Sequence, residues 1–388
     1  MRILHICGYT WNIGGPPKVI FDHAEYQLRQ GNEVTILTPI STGEELYPVP
    51  QGATIVTCRR HPLARFYAEF SPELYRWLRR HGNDFDLIHV HGIWHFAGIA
   101  PFLLYLKPAK AITLHGLLDP WAWQQGRWKK QFFSWLIQRR IVRQADLIHL
   151  ISRDERTDLH RYLGYDHPRA IYVPNGMNTA KYQHLPKRGQ FRQKHQLGER
   201  KMVLFLSRIN AKKGLDLLLP AFKNLLAKHQ EAVLVLAGPD DGFLTYVENF
   251  IAKSNLQASV LLVGMLTGEE KLAAFVDADA FALPSYSEGF SIAALEALTI
   301  GTPALLSDRV GFALELREYQ AAHLSDLTVE AVEAGLHHLL SDAGYSQNLR
   351  ENGQRLVHEK FDINVVAEQL LAAYRQAVQR RKTSETAS

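Results

Sequence analysis

Two carboxylates, Glu288 and Glu296, flank the predicted start of a helix. The apolar run 280–283 predicts a short buried strand, and the helix is expected over about 291–299. Gly301, just past the end of that helix, is a typical C-cap residue. A carboxylate among the small apolar residues that surround Glu296 needs a polar partner. The pattern therefore favours a functional pair of carboxylates. The alternative is an ordinary strand–loop–helix unit in which Glu296 is an ordinary residue of an amphipathic helix.

The start of the same helix is a predicted anion site. The backbone N–H groups of Phe290, Ser291 and Ile292 lack partners within a helix that begins there, and such N–H groups bind phosphates. Glu288 would lie at the lip of this site, with Glu296 roughly 7–8 Å beyond Ser291 along the helix. Each carboxylate could accept hydrogen bonds from the hydroxyls of a sugar. Together these features indicate a nucleotide diphosphate sugar as the ligand.

Two cations, Arg208 and Lys213, follow the predicted strand 202–206. Open parallel sheets bind ligands at the carboxyl ends of their strands. Cations at that edge would neutralise the charge that grows on a diphosphate leaving group. Lys212 is expected to be the exposed neighbour. The alternative, a solvated basic loop, stays open on the local pattern alone.

A glycine loop and a histidine are the candidates in the first half of the chain. Gly14 and Gly15 precede a helix that begins with proline, so the backbone could approach a ligand closely, and a tight strand–helix turn is the alternative. The loop does not match GxGxxG, which disfavours a nicotinamide oxidoreductase. His115 ends the predicted strand 111–114 and could hydrogen-bond a sugar or a phosphate. A lone histidine is more often structural, but the position of this one at the binding edge of the sheet favours a function.

A metal centre is not predicted. His89, His91, His95 and His149 also fall near strand ends, but they do not have the spacing of a helical zinc pair. No cysteine supports such a site.

The segment 126–143 carries six cations and four aromatic residues. A basic helix with Trp and Phe can bind an anionic membrane surface. An ordinary helix with one packed face and solvated charges is an equal alternative. Nucleic-acid binding is disfavoured, because the basic character is confined to this element and no recognition module is visible.

Strand-like and helical patterns alternate along the chain, which predicts two doubly wound parallel α/β domains. We expect a first domain at 1–180, a second at 190–363, and a final helix in 364–388 that crosses back onto the first. The predicted strands are 3–7, 33–37, 54–57, 87–90, 111–114, 147–151, 170–173, 202–206, 232–237, 260–263, 280–283 and 302–306. The predicted helices with defined bounds are 17–30, 72–80, 99–106, 127–144, 214–228, 243–254, 268–276, 291–299 and 364–379.

The composition is that of a soluble globular protein, with 46% hydrophobic and 21% charged residues in a chain of 388. Cys7 and Cys58 cannot form a disulfide framework, so a reducing compartment fits best. The first residues read as a strand rather than as a signal peptide, and no run is long and apolar enough for a membrane span. We expect a cytoplasmic protein, with a possible peripheral contact at the inner membrane face.

The motifs together resemble those of the family-4 retaining glycosyltransferases. The residues from Glu288 to Glu296 fit the family's E-x7-E signature, and the segment 207–214 fits G-R-x4-K-G with Ser207 in place of the first glycine. The segment 173–177 resembles the family's interdomain V-P-N-G, and Gly14-Gly15 resembles its glycine loop.

This resemblance implies the GT-B architecture, in which two Rossmann-like domains face each other across a cleft. It also implies hexosyl transfer from a nucleotide sugar such as UDP- or GDP-hexose, with retention of configuration and without a metal. The implied roles are Glu288 on the donor sugar, Glu296 on the ribose, Arg208 and Lys213 on the diphosphate, and His115 on the sugar. Backbone groups at 290–292 would bind the sugar and the diphosphate.

The acceptor is expected to be a glycan or a lipid-linked molecule of cell-surface polysaccharide or lipopolysaccharide biosynthesis. A small soluble acceptor is the alternative within enzymes. A non-catalytic nucleotide-binding protein on the same fold is the alternative outside them. The presence of all four side chains (Arg208, Lys213, Glu288 and Glu296) disfavours that second alternative.

Overall fold

A computed structural model describes residues 1–8, 11, 15–65, 69–118 and 137–386. The chain divides into two compact units. Unit 1 comprises Met1–Gly176 together with Ile363–Ser388, and unit 2 comprises Met177–Asp362. The final helix therefore belongs to unit 1.

Unit 1 is built on a seven-stranded parallel sheet in the order β3-β2-β1-β4-β5-β6-β7. The central strands are buried along their whole length, as expected for parallel strands with helices on both faces. The direction of winding reverses between β1 and β4, which makes that edge the switch point of the sheet. The strands are β1 (Arg2–Cys7), β2 (Glu33–Ile40), β3 (Thr54–Arg59), β4 (Leu87–His91), β5 (Ala109–Thr113), β6 (Leu147–Leu150) and β7 (Ala170–Tyr172).

The helices of unit 1 cover both faces of this sheet. They are α1 (Gly15–Arg29), α2 (Pro72–His81), α3 (Phe96–Leu103), α4 (Arg139–Gln144), α5 (Asp154–Leu163) and, at the end of the chain, α14 (Ile363–Thr386). Helix α14 packs beside α1, where the Tyr26 hydroxyl donates to Glu368 at 2.8 Å. Its apolar side chains, including Leu370 and Tyr374, are buried against the sheet.

Unit 2 is built on a six-stranded parallel sheet in the order β10-β9-β8-β11-β12-β13. The winding reverses between β8 and β11. Its strands are β8 (Met202–Leu206), β9 (Val233–Ala237), β10 (Val260–Gly264), β11 (Ala280–Leu283), β12 (Ala304–Ser307) and β13 (His323–Ser325). Its helices are α6 (Gln190–Lys194), α7 (Leu215–Leu225), α8 (Leu244–Lys253), α9 (Gly268–Asp277), α10 (Ile292–Ile300), α11 (Ala313–Tyr319), α12 (Val329–Ser341) and α13 (Ala343–Leu356).

The fold class predicted from the alternation of strands and helices is confirmed as two Rossmann-like parallel-sheet units. Most predicted elements agree with the structure to within a few residues. Helix α3 begins at Phe96 rather than at 99, and a larger difference is in α14, which ends at Thr386 rather than at 379. The elements from α11 to α13 and the short helix α6 were not predicted.

Candidate active site

The loop after β11 and the helix α10 form the centre of the candidate site. Ser291 is the N-cap of α10, and its hydroxyl accepts from the Ala294 N–H at 3.2 Å. The helix ends at Gly301, whose φ of 86° is left-handed. In the part of the chain that the structure describes, no group accepts from the N–H groups of Phe290, Ser291 or Ile292. These donors are therefore available to an anion at the helix start.

Backbone hydrogen bonds hold this loop against two neighbouring loops. The Tyr286 N–H donates to the carbonyl of Lys212 at 2.9 Å, and the Glu288 N–H donates to that of Arg309 at 3.2 Å. The Gly311 N–H in turn donates to the Glu288 carbonyl at 2.8 Å. The backbone on both sides of the Glu288 side chain is thus fixed by main-chain contacts.

Lys213 and Glu288 form an ion pair that joins the loop after β8 to the loop after β11. Their side chains are only 11% and 14% exposed. Gly214, at φ 71°, lies so close to the second loop that an added Cβ would be 1.9 Å from the Pro284 carbonyl oxygen. Because β8 and β11 flank the switch point of the sheet, the pair lies at the edge where such folds bind ligands.

Arg208 is on the same loop as Lys213 but has a different partner. Its guanidinium donates to the Asp241 carboxylate at 2.6 Å, and its side chain is 65% exposed. Asn210 also donates to that carboxylate, at 3.1 Å. Asp241 therefore orients the arginine, and no sequence motif had indicated it.

Glu296 is 2% exposed and has the polar partners that its apolar surroundings require. Lys271 of α9 donates to its Oε1 at 2.7 Å, and the Tyr182 hydroxyl donates to the same oxygen at 2.8 Å. The sequence predicted the need for a partner but not which residues would supply it. The carboxylate is held on the inner side of α10 by one cation and one hydroxyl.

His115 lies in unit 1, at the end of β5, in an unusual backbone conformation. Its φ is 52°, and Gly116 follows at 71°. The Glu155 carboxylate holds this turn, because it accepts from the N–H groups of Gly116 and of Ile151, the latter at 2.6 Å. Burial raises the pKa of Glu155 to about 7, and these hydrogen bonds oppose the rise. Glu155 was missed because an acidic residue in the first turn of a helix is common.

The glycine-loop prediction is only partly covered by the structure. Gly14 lies outside the described residues, whereas Gly15 is the first residue of α1. A Cβ added at Gly15 would meet nothing within 4 Å. Crowding within the described chain is therefore not a reason for glycine at this position.

Three histidines of unit 1 lie close enough together to suggest a metal site. Nitrogen atoms of His5, His89 and His91 all fall within 4.8 Å of one another. His5 escaped the sequence argument because it comes from β1, where it is directly opposite His89 of β4. Every ring nitrogen of the three already has a hydrogen-bond partner, however, as described below. A metal ion would have to displace those partners.

A polar cavity of about 840 Å³ lies at the ends of β2 and β3 in unit 1. Arg59, Arg60, Arg76, Glu69 and Glu73 contribute its charged groups. None of the predicted site residues lines it.

The basic segment 126–143 falls mostly outside the described residues. In its described part, Ile141 and Val142 are buried in the core of unit 1, as the packed-helix alternative expects. Among the described helices, none combines the length and the apolar character that crossing a membrane requires.

Two family models match the chain. The model described as Glycosyltransferase Family 4 matches residues 13–181, and the model described as Glycosyl transferases group 1 matches residues 187–356. The chain belongs to the family-4 glycosyltransferases.

Relatives and solved structures match the chain over most of its length. A phosphatidyl-myo-inositol mannosyltransferase of Mycobacterium leprae is 28% identical and covers 96% of both chains. A D-inositol 3-phosphate glycosyltransferase of Corynebacterium efficiens is 26% identical over 81% of this chain and 78% of its own. The structure of a sucrose-phosphate synthase from Thermosynechococcus elongatus has a TM-score of 0.80 and 19% identity, covering 97% and 99% of the two chains. The Anabaena HepE structure in complex with UDP has a TM-score of 0.77 and 16% identity, covering 97% and 100%.

Proposed function

We propose that this glycosyltransferase moves a hexose from a nucleotide diphosphate sugar, such as UDP- or GDP-hexose, to an acceptor with retention of anomeric configuration. The observation that carries the proposal is the Lys213–Glu288 pair at the switch point of unit 2, beside the unengaged N–H groups that start α10. The cation and the backbone N–H groups there could bind the diphosphate of such a nucleotide sugar, and the carboxylate could bind its hexose.

The chemistry assigned to these residues follows the charge that develops in the reaction. As the bond between the sugar and the diphosphate breaks, negative charge grows on the leaving phosphate, and preorganised donors stabilise it. Lys213, Arg208 and the N–H groups at the start of α10 would supply that stabilisation without a metal ion. Glu288 would accept from hydroxyls of the donor sugar and Glu296 from the ribose. His115 of unit 1 would hydrogen-bond the transferred sugar.

We further propose that the acceptor is a glycan or lipid-linked molecule used in cell-surface polysaccharide or lipopolysaccharide synthesis at the cytoplasmic face of a membrane. The phosphatidyl-myo-inositol mannosyltransferase of M. leprae supports a lipid acceptor. The D-inositol 3-phosphate glycosyltransferase supports the alternative, an acceptor without a lipid chain. Flotation with anionic vesicles separates the two, because a protein that stays in the soluble fraction would count against a membrane-bound acceptor.

A thermal-shift screen with UDP, GDP, ADP and their hexose conjugates tests the donor proposal. A ligand at about 100 times its Kd should stabilise the protein by ~2.7 kcal/mol. The best binder is then used as the donor, and NMR of the product reports the anomeric configuration. An unmoved melting temperature with all donors would overturn the proposal. Binding without turnover across a panel of acceptors would favour a non-catalytic nucleotide-binding protein.

A further inference from the structure

Two hydrogen-bonded chains of buried side chains form a network on one face of the unit 1 sheet, and one of them ends at His115. We propose that this network holds the proton of His115 on Nε2, which leaves Nδ1 as the hydrogen-bond acceptor of the ring. The network's side chains are Gln27, His5, His89, His91, Thr113, His115, His149 and Tyr374.

The backbone carbonyl of Val173 fixes the donor and acceptor roles in the first part of the network. A carbonyl oxygen can only accept, so the His149 Nε2 that lies 2.7 Å from it must carry the proton. His149 Nδ1 is then an acceptor, and it receives the Thr113 hydroxyl at 2.8 Å. Since Thr113 donates in that direction, its oxygen accepts from His89 Nε2 at 2.7 Å. His89 therefore also carries its proton on Nε2.

The first part of the network ends at Tyr374. His89 Nδ1 is an acceptor, so its partner, the Tyr374 hydroxyl, must donate to it. The Tyr374 oxygen then remains as an acceptor. Gln27 orients a second group of residues, because its Oε1 lies 2.9 Å from His5 Nε2.

The last part runs from Gln27 to His115. The Gln27 Oε1 accepts from His5 Nε2 at 2.9 Å, so His5 Nδ1 accepts from His91 Nε2 at 3.0 Å. His91 Nδ1 then accepts from His115 Nε2 at 3.3 Å. Burial lowers the pKa of His5 to about 4 and that of His115 to about 3, so each neutral ring has one proton to place. All five imidazoles of the network carry it on Nε2.

The same assignment explains why the His5, His89 and His91 cluster is not a metal site. A metal binds the lone pair of an imidazole nitrogen. The lone pair of each of these rings already accepts a proton donor, from His91, Tyr374 and His115 respectively.

Gln27, His5 and His91 are therefore positioning residues that act through His115. This role rests on the proposed function: an acceptor nitrogen on His115 would accept a hydrogen bond from a sugar hydroxyl, whereas the opposite tautomer would present a donor. The network selects between two opposite hydrogen-bonding surfaces for the substrate.

The direct test is the imidazole ¹⁵N spectrum of the intact protein, labelled on histidine, at pH 7.5. Protonated and lone-pair nitrogens have well-separated shifts, and the His115 signals are identified by their loss in His115→Gln. The expected result is a neutral His115 with its proton on Nε2. A proton on Nδ1, or a charged ring, would overturn the inference, and no variant of the network needs to fold for this result.

Gln27→Met tests the positioning role, with His23→Phe as the matched control. His23 is equally buried on α1, and its ring nitrogens have no hydrogen-bond partner among the described residues. Gln27→Met should populate both tautomers of His115 and lower kcat/KM by about tenfold, whereas His23→Phe should change neither. Mixed tautomers with unchanged kcat/KM would remove the positioning role. If the donor screen fails instead, the proposed function is lost, but the spectrum still decides the tautomer.

Discussion

The Lys213 ammonium and the Glu288 carboxylate are ion-paired across two loops that leave adjacent strands of one sheet. Both side chains are largely buried, so removal of either leaves a poorly solvated charge. The pair also couples two functions that we assign separately, neutralisation of the leaving group and recognition of the donor sugar. Its energetics are therefore expected to be non-additive.

Lys213→Ala is expected to lower kcat/KM at least tenfold, or ~1.4 kcal/mol of transition-state stabilisation. Lys212→Ala is the matched control, because it removes the same charge one residue away and leaves in place the Lys212 carbonyl that accepts from the Tyr286 N–H. The comparison is made by steady-state kinetics with the best donor of the screen. Equal losses in the two variants would mean that general loop charge, rather than Lys213, stabilises the leaving group.

Glu288→Ala is likewise expected to lower kcat at least tenfold, ~1.4 kcal/mol, with the protein still folded. The double variant with Lys213→Ala should lose less than the sum of the two single losses, because each single variant already breaks the pair. A full double-mutant cycle, with kinetics and circular dichroism on all four proteins, measures this coupling. Strict additivity would show that the two residues act independently.

Glu296→Gln is expected to weaken binding of the nucleoside diphosphate and to reduce its preference over the 2′- and 3′-deoxy analogues. A carboxylate accepts strongly from a ribose hydroxyl, and a site built for that bond discriminates against ligands that lack it. Glu269→Gln, an exposed change on the same unit, is the control. Isothermal titration with the three nucleotides gives the ratios, and a preference retained in Glu296→Gln would exclude a ribose contact.

The sequence predicted the site residues that belong to a motif better than the residues that contact them from elsewhere in the chain. Glu288 and Lys213 were found because each follows an apolar strand at a recognisable spacing. The residues that complete the site include Asp241 beside Arg208 and Lys271 beside Glu296, which come from elsewhere in the chain and carry no local signal. His5 could have been found, since parallel strands 1 and 4 are neighbours in a doubly wound sheet and both carry a histidine at matching positions. Pairing of that kind depends on strand order, which the pattern along the chain does not give.

Gly214→Ala is expected to destabilise unit 2 and to lower activity. The residue has φ of 71°, and its Cβ would be 1.9 Å from the Pro284 oxygen, so the loop that carries Glu288 must move. Gly242→Ala is the control, because Gly242 has φ of 86° but open space around it. The control should lose only the conformational cost, about 1–2 kcal/mol. The two variants are compared by urea unfolding, followed by hydrogen exchange in peptides of unit 2. Similar losses of stability in both would show that the loop accommodates a Cβ at residue 214.

The buried histidines of unit 1 predict a loss of stability in mild acid. The pKa is lowered by burial to about 4 in His5 and His149 and to about 3 in His115. In the unfolded chain the histidine pKa is about 6.5. Below that pH the unfolded chain binds protons that the native rings do not, so the free energy of unfolding decreases as the pH is lowered. At pH 5.5 each such ring lowers the free energy of unfolding by roughly 1 kcal/mol relative to neutral pH. The effect continues until the pH approaches the native pKa of each ring.

Glu155 acts in the opposite direction in the same pH range. Burial raises its pKa to about 7, so the native carboxyl binds a proton before the unfolded one does and gains stability as the pH falls. Three histidines outweigh this one carboxyl, and the pKa values of His23, His89 and His91 are also lowered by burial. Hydrogen exchange at pH 7.5, 6.5 and 5.5, corrected for intrinsic rates, should therefore show protection lost in β1, β4 and β6 before β8 and β11. Uniform loss in both sheets, or greater protection of β1 at pH 5.5, would mean that the rings accept protons without opening unit 1.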